Sequence, residues 1–165
     1  MELPDDVTLA ILERWPVATL TTVAESGRPH AVPIVFARAA GALWSPIDGK
    51  PKRGGELARI RHVRRDPRVS LLFTHYQDDW SLLWWLRADG AAAIRSAPQH
   101  HRGEEESSAL AALRRKYPQY EHVALLGPDA QLLRIAVTAQ RSWCASEAGS
   151  DALLAYIYRG AGRVL

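Results

Sequence analysis

A single cysteine, Cys144, stands in 165 residues. No disulfide can form within the chain, and a reducing cytoplasm is the expected compartment. The same scarcity excludes a zinc site built from thiolates. Long apolar runs are also missing. The densest, Leu82–Leu86, has five residues, where a membrane helix needs about 20, so no membrane partner is expected. The first residues, Met-Glu-Leu-Pro-Asp-Asp, lack the basic start and apolar stretch of a secretory signal. There is no Gly-x-Ser-x-Gly elbow, no P-loop and no Rossmann glycine fingerprint. The six histidines show no metal-ligand spacing with one another or with Cys144, so no metal is expected. No pair of carboxylates stands out as acid and base. If the chain is an enzyme, a cofactor does the chemistry.

What is present reads as one globular domain, residues 1–165. Hydrophobic residues make up 47% and charged residues 24%, an ordinary balance that argues against disorder. The formal charge is +3, but it is unevenly placed. Residues 50–68 carry eight Lys and Arg against Glu56 and Asp66, a local balance of +6. The other residues hold 13 basic and 16 acidic side chains. The whole positive excess therefore lies in one short stretch, which points to an anion.

The pattern along the chain is mostly short strands. A helix is expected over Asp5–Trp15, stopped by Pro16. Val17–Ala24 and His30–Ala37 are β-branched or alternating, and Glu25-Ser26-Gly27-Arg28 joins them as a hairpin. Arg38–Gly41 reads as a turn and Ala42–Pro46 as a third strand. A helix over Glu56–Arg65 ends at Asp66-Pro67. Arg68–Tyr76 alternates as a strand. Leu82–Ile94 is a long strand interrupted at Asp89-Gly90, where a bulge is preferred to a hairpin turn because the second arm is short. Glu104–Tyr117 has acidic residues first and basic residues last, as the helix dipole favours. Leu132–Cys144 is the last strand, and residues 151–165 are ambiguous in period. These elements make a mainly β, α+β fold: a small antiparallel barrel with flanking helices.

Two features carry chemistry. The loop Lys50-Pro-Lys-Arg53 sets three cations between a strand end and a helix start, where backbone donors and the positive dipole end add to them. That suits a phosphate; a solvated basic loop has the same composition. Nucleic acid would use the same charges, but no nucleic-acid motif accompanies them and the remaining chain is acidic, so none is expected as a partner. The second feature is tryptophan. Trp80, Trp84 and Trp85 fall within six residues. On a strand, Trp84 and Trp85 face opposite sides; one enters the core while the other faces a groove or a partner chain, and the alternative is that both are core.

The order Val17-Ala-Thr-Leu-Thr-Thr, Gly27-Arg-Pro-His-Ala-Val-Pro33, Trp44-Ser-Pro-Ile-Asp-Gly-Lys-Pro-Lys52, Arg64-Arg-Asp-Pro-Arg-Val-Ser-Leu71 and Trp84-Trp-Leu-Arg-Ala-Asp-Gly-Ala-Ala92 resembles the pyridoxamine 5′-phosphate oxidase-like split-barrel superfamily. Within it the likeness is to the branch of deazaflavin-dependent proteins that use coenzyme F420. The resemblance covers about residues 5–145. It implies a six-stranded split β-barrel, a homodimer, and cofactor sites at the subunit interface. It implies that Lys50, Lys52 and Arg53 hold the cofactor phosphate, with Ser45 adding a hydroxyl. The resemblance also implies that the ring lies against Pro33 and Val35, and that Trp80 and Trp85 close the site from the partner chain. The implied activity is hydride transfer from reduced coenzyme F420 to a small unsaturated or electron-poor substrate. FMN is the alternative cofactor, and a non-catalytic F420 carrier or an FMN-dependent oxidase the alternative roles. No catalytic acid or base is assigned; Tyr76 or a water could supply a proton.

Overall fold

The computed structural model describes residues 1–47, 56–98 and 103–160. The first helix, α1 (Asp5–Arg14), has Asp5 and Asp6 in its opening turn and buries Val7, Ala10, Ile11 and Leu12. Trp15, next to Pro16, is already extended. β1 (Ala18–Val23) and β2 (Pro29–Ile34) form the expected antiparallel hairpin, with Ala18 opposite Ile34. Gly27 turns it with a φ of 79°, a conformation that favours glycine.

The chain then does something its composition did not reveal. After Val35 and Phe36 it starts a separate short strand, β3 (Ala37–Ala39), where a turn was expected. With β4 (Ala42–Pro46), β5 (Arg68–His75), β6 (Trp84–Ser96) and β7 (Gln131–Cys144) this makes seven strands where six were expected. They form one sheet in the order β2-β1-β5-β6-β7-β4-β3. The two ends of that order are β2 and β3, yet Ile34 and Ala37 are only three peptide links apart, about 11 Å at most. The sheet must therefore curl until its edges meet at this corner, while no ladder joins them: a split barrel.

Tyr117 clamps the corner. Its hydroxyl accepts from the Phe36 N–H at 3.0 Å and lies 2.7 and 2.9 Å from the carbonyl oxygens of Phe36 and Pro16, which share its proton. Burial pushes this phenol's pKa up. Beside it Lys116 lays its ammonium 3.6 Å from the centroid of the Phe36 ring. Burial brings that amine down to about 7.

The bulge expected at Asp89-Gly90 is present. The β6–β7 register steps there, from Asp89 opposite Ala139 to Gly90 opposite Val137. A Cβ on Gly90 would overlap the carbonyl oxygen of Ala136. Glycine is thus required by close backbone approach.

Two apolar clusters result. The barrel interior holds Leu20, Leu71, Phe73, Leu86, Leu133 and Ile135. The second lies between the β3–β4 edge and helix α3 (Glu104–Lys116), around Trp44, Leu110, Leu113 and Tyr117. A short helix α2 (Ala58–Arg65) precedes β5. The ambiguous tail is helical: α4 (Glu147–Gly160) packs on α1 and on the 3₁₀ turn Trp80–Leu82. It gains its buried face, Leu153 and Ile157, only through those partners.

Candidate functional site

Strand β4 ends at Pro46 and leads into the basic loop; Lys50, Lys52 and Arg53 lie outside the described residues. The segment after that loop is well defined. Arg61 donates to the Glu56 carbonyl oxygen at 2.6 Å, and Arg64 pairs with the Glu56 carboxylate. Arg65 reaches across to the carbonyl oxygens of Ala24 and Val23 at 2.7 and 3.2 Å. Arg68 holds Asp66 at 2.7 Å and keeps that carboxyl at about 2. Four of the cations in the positive stretch are thus engaged within the chain. Arg65 alone of these ties α2 to the β1–β2 hairpin; the others bond within their own segment.

Under α2 sits a cluster that sequence spacing did not expose. Thr22, fully buried on β1, places its hydroxyl 2.9 Å from Nδ1 of His62 on α2. The His62 ring stands edge-to-face on His30 of β2, with centroids 5.0 Å apart. Nδ1 of His30 is buried without a hydrogen-bond partner. Burial, then the neighbouring His30, Arg61 and Arg65, lowers the His62 pKa. His30 and His62 are 32 positions apart, so only the β1–β2 pairing and the α2 crossing bring them together.

The faces of the sheet decide the other candidates. Leu20, Leu71, Leu86 and Ala88 point inward and are fully buried. Their neighbours point outward. Pro33 stands opposite Thr19, which stands opposite Leu72. Thr74, Trp85 and Trp143 form the next outward row. Pro33 and Trp85 therefore share one outer face, but β2 and β6 are three strand spacings apart, about 14 Å. They do not meet within one chain. Leu72 and Trp143 on that face remain 39% exposed. Trp84 points the other way and is buried, so the two adjacent tryptophans separate as expected. Val35 lies at the barrel corner, packed on the α3 cluster. Ser45 is buried on the interior side of β4, opposite Leu133. Trp80 is exposed on the 3₁₀ turn beyond β5, and Tyr76 beside it is exposed too. Both belong to the end of the barrel away from α2. Cys144 is buried, its thiol against the Glu2 carbonyl oxygen at 3.8 Å, and burial raises its pKa, as befits an inert thiol. Among the described residues no group of His, Cys, Asp and Glu could hold a metal ion, and no helix is long and apolar enough to cross a membrane.

The sequence profile of the pyridoxamine 5′-phosphate oxidase family matches residues 5–144. The chain belongs to this family. Solved structures agree on the pyridoxamine 5′-phosphate oxidase-like fold. A conserved hypothetical protein of Mycobacterium tuberculosis superposes with a TM-score of 0.66 at 22% identity, covering 90% of this chain and 89% of that one. The heme storage protein of Vibrio cholerae gives 0.63 at 17%, covering 87% and 95%. An FAD-binding protein of Mesorhizobium loti gives 0.58 at 20%, covering 86% and 95%. No curated protein matches the chain in sequence. The family's fold thus has flavin-binding and heme-storing proteins among its structural neighbours. Helix α4 begins after the family match ends.

Proposed function

We propose that this chain is a homodimeric oxidoreductase that takes coenzyme F420 and reduces a small unsaturated or electron-poor substrate. One observation carries the reading: the outer face of β2, β1, β5, β6 and β7 is open and lined by Pro33, Leu72, Trp85 and Trp143. A planar tricyclic ring needs such a floor, and a second copy of the chain supplies the cover that one copy lacks. The exposed Leu72 and Trp143 support that pairing. When bound, the cofactor supplies the hydride. The chain's own residues bind and shield. Lys50, Lys52 and Arg53 would hold the phosphate, where α2 is braced against the β1–β2 hairpin by Arg65. Pro33 and Val35 would bear on the ring, and Trp85, with Trp80, would close the site from the partner. Ser45 faces the barrel interior, so its part is to fix the end of β4 rather than to touch the phosphate.

FMN is the second reading. Arg61, Arg64, Arg65 and Arg68 are engaged internally, which leaves fewer cations for the polyanionic tail that distinguishes coenzyme F420. Titration of the purified protein with each cofactor, followed by tryptophan fluorescence, decides between them. Tighter binding of coenzyme F420 is expected; binding of FMN alone would overturn the proposal. Turnover of reduced cofactor on a panel of enones and quinones separates an enzyme from a carrier. The double variant Lys50→Ala, Lys52→Ala should lower cofactor affinity on the order of 100-fold, as the loss of two charge-assisted phosphate contacts requires.

A further inference from the structure

At the end of the barrel away from α2, a cavity of about 260 Å³ opens between the strand ends and α4. Arg68 and His75 are the two ends of β5, seven residues apart, which is about 23 Å along the strand. The cavity is therefore separate from α2, which precedes Arg68. Its inner wall is aromatic. Trp15 and Trp84 pack edge-to-face with centroids 4.8 Å apart, and His75 and Tyr156 stand 6.1 and 6.2 Å from Trp15. Leu82 and Leu153 complete the apolar lining.

The opposite wall is α4, and it is held firmly. Ser146 donates its hydroxyl to the Ser81 carbonyl oxygen at 2.8 Å. Gly149 lies so close that a Cβ there would press on that same oxygen. The cavity is thus preformed, which lowers the ordering cost of binding. Polar groups are few, chiefly His75 and Gln77 at and beyond the end of β5 and Arg159 on α4. Gln77 is fixed by donating to the Leu82 carbonyl oxygen at 3.3 Å. Arg159 uses Nε on the Ala155 carbonyl oxygen at 3.2 Å. Among the described residues, no carboxylate pairs with its terminal nitrogens and none lines the cavity.

We infer that this cavity is a second ligand site, for a small planar aromatic carboxylate. The ring would lie against the wall that Trp15 and Trp84 form with Tyr156, and the carboxylate would meet the Arg159 guanidinium, whose fork matches it. The volume falls just under the roughly 300–1,000 Å³ of pockets for drug-sized molecules, so the site suits a ligand of one or two rings. Its α4 wall lies outside the family match. It does not depend on the cofactor reading.

The test uses the full chain without added cofactor, with benzoate and its neutral counterpart benzamide as probes, read by calorimetry and ligand-observed NMR. Benzoate should bind more tightly than benzamide. Arg159→Gln should weaken benzoate about tenfold or more and leave benzamide unchanged. Ala152→Trp, at the exposed mouth, should block both. The Lys50→Ala, Lys52→Ala protein should bind benzoate like the parent, which separates this site from the cofactor site. Equal affinity for the two probes, no benzoate binding at millimolar concentration, or an unaltered benzoate affinity in Arg159→Gln would each overturn the inference. Arg159 and Ala152 are exposed, so both variants fold and every outcome can be read.

Discussion

The two ends of the barrel meet solvent with different chemistry. At the α2 end, arginines dominate, and Arg61, Arg64, Arg65 and Arg68 are engaged with Glu56, with Asp66, and with the backbone of the β1–β2 hairpin. At the α4 end, aromatic rings dominate around a cavity, and among the described residues Arg159 is the one Lys or Arg on its wall, with no described acid on that lining. Charge density therefore does not locate the available charge. A cluster of cations can be largely structural, while a lone arginine at an apolar mouth is poised for a ligand.

The comparison can be broken most forcefully at the aromatic end. Trp84→Ala should cost about 3–5 kcal/mol, because a buried indole is removed from both the barrel interior and the cavity wall. Urea unfolding measures this. A cost below about 1 kcal/mol would show that the aromatic wall is not part of the core. The Lys50→Ala, Lys52→Ala protein, altered in the basic loop instead, should keep the parent's unfolding midpoint.

Between the ends, Gly90→Val should destabilise by about 1–3 kcal/mol, since its side chain would strike the β7 backbone. Both ends should suffer together, as one sheet carries them. Hydrogen exchange that slackens at one end alone would refute that unity.

Acid should act on the α2 end first. The folded His62 pKa lies below its usual 6.5, so the unfolded chain binds the proton more readily. The neutral ring's contribution to stability is complete above about 6.5 and is lost as pH falls from there through the lower folded value. Amides of α2 should lose protection as pH falls below about 6.5, before those of α4. His62→Gln should flatten that difference. Thr22→Val, which removes the hydroxyl from His62, should cost about 1 kcal/mol. The smallest effect belongs to Arg68→Ala. Arg68 itself is 80% exposed in its pair with Asp66, and no change in unfolding midpoint is expected.

Much of the fold was legible along the chain. α1 announces itself through Asp5 and Pro16, α3 through its ordered charges, and the β6 bulge through Gly90. The basic loop was equally legible as a candidate for phosphate. Other parts were not. β3 hides inside an apolar run, because only the Tyr117 clamp tells Phe36 to turn the corner. Residues 151–165 had no readable period, and α4 is amphipathic only toward neighbours from α1 and the Trp80–Leu82 turn. Among the site residues, Trp84 and Trp85 separated as alternation demands. Pro33, Ser45 and Trp80 could not be placed by spacing, since their settings depend on strand pairing far away in the chain.

Sequence alone thus determined the local elements, the absence of disulfides, the position of the positive excess and the family. The local elements arise from periods of 2 and 3.6, which act over a few residues; the others arise from composition and residue order. Tertiary structure alone decided that the sheet's two edges meet at Phe36, that Pro33 and Trp85 share an open face, that the α2 arginines are engaged, and that Trp15, Trp84 and Arg159 surround one cavity. These are contacts between residues tens of positions apart. Their partners are chosen by burial and closure of the whole barrel, which no local pattern encodes.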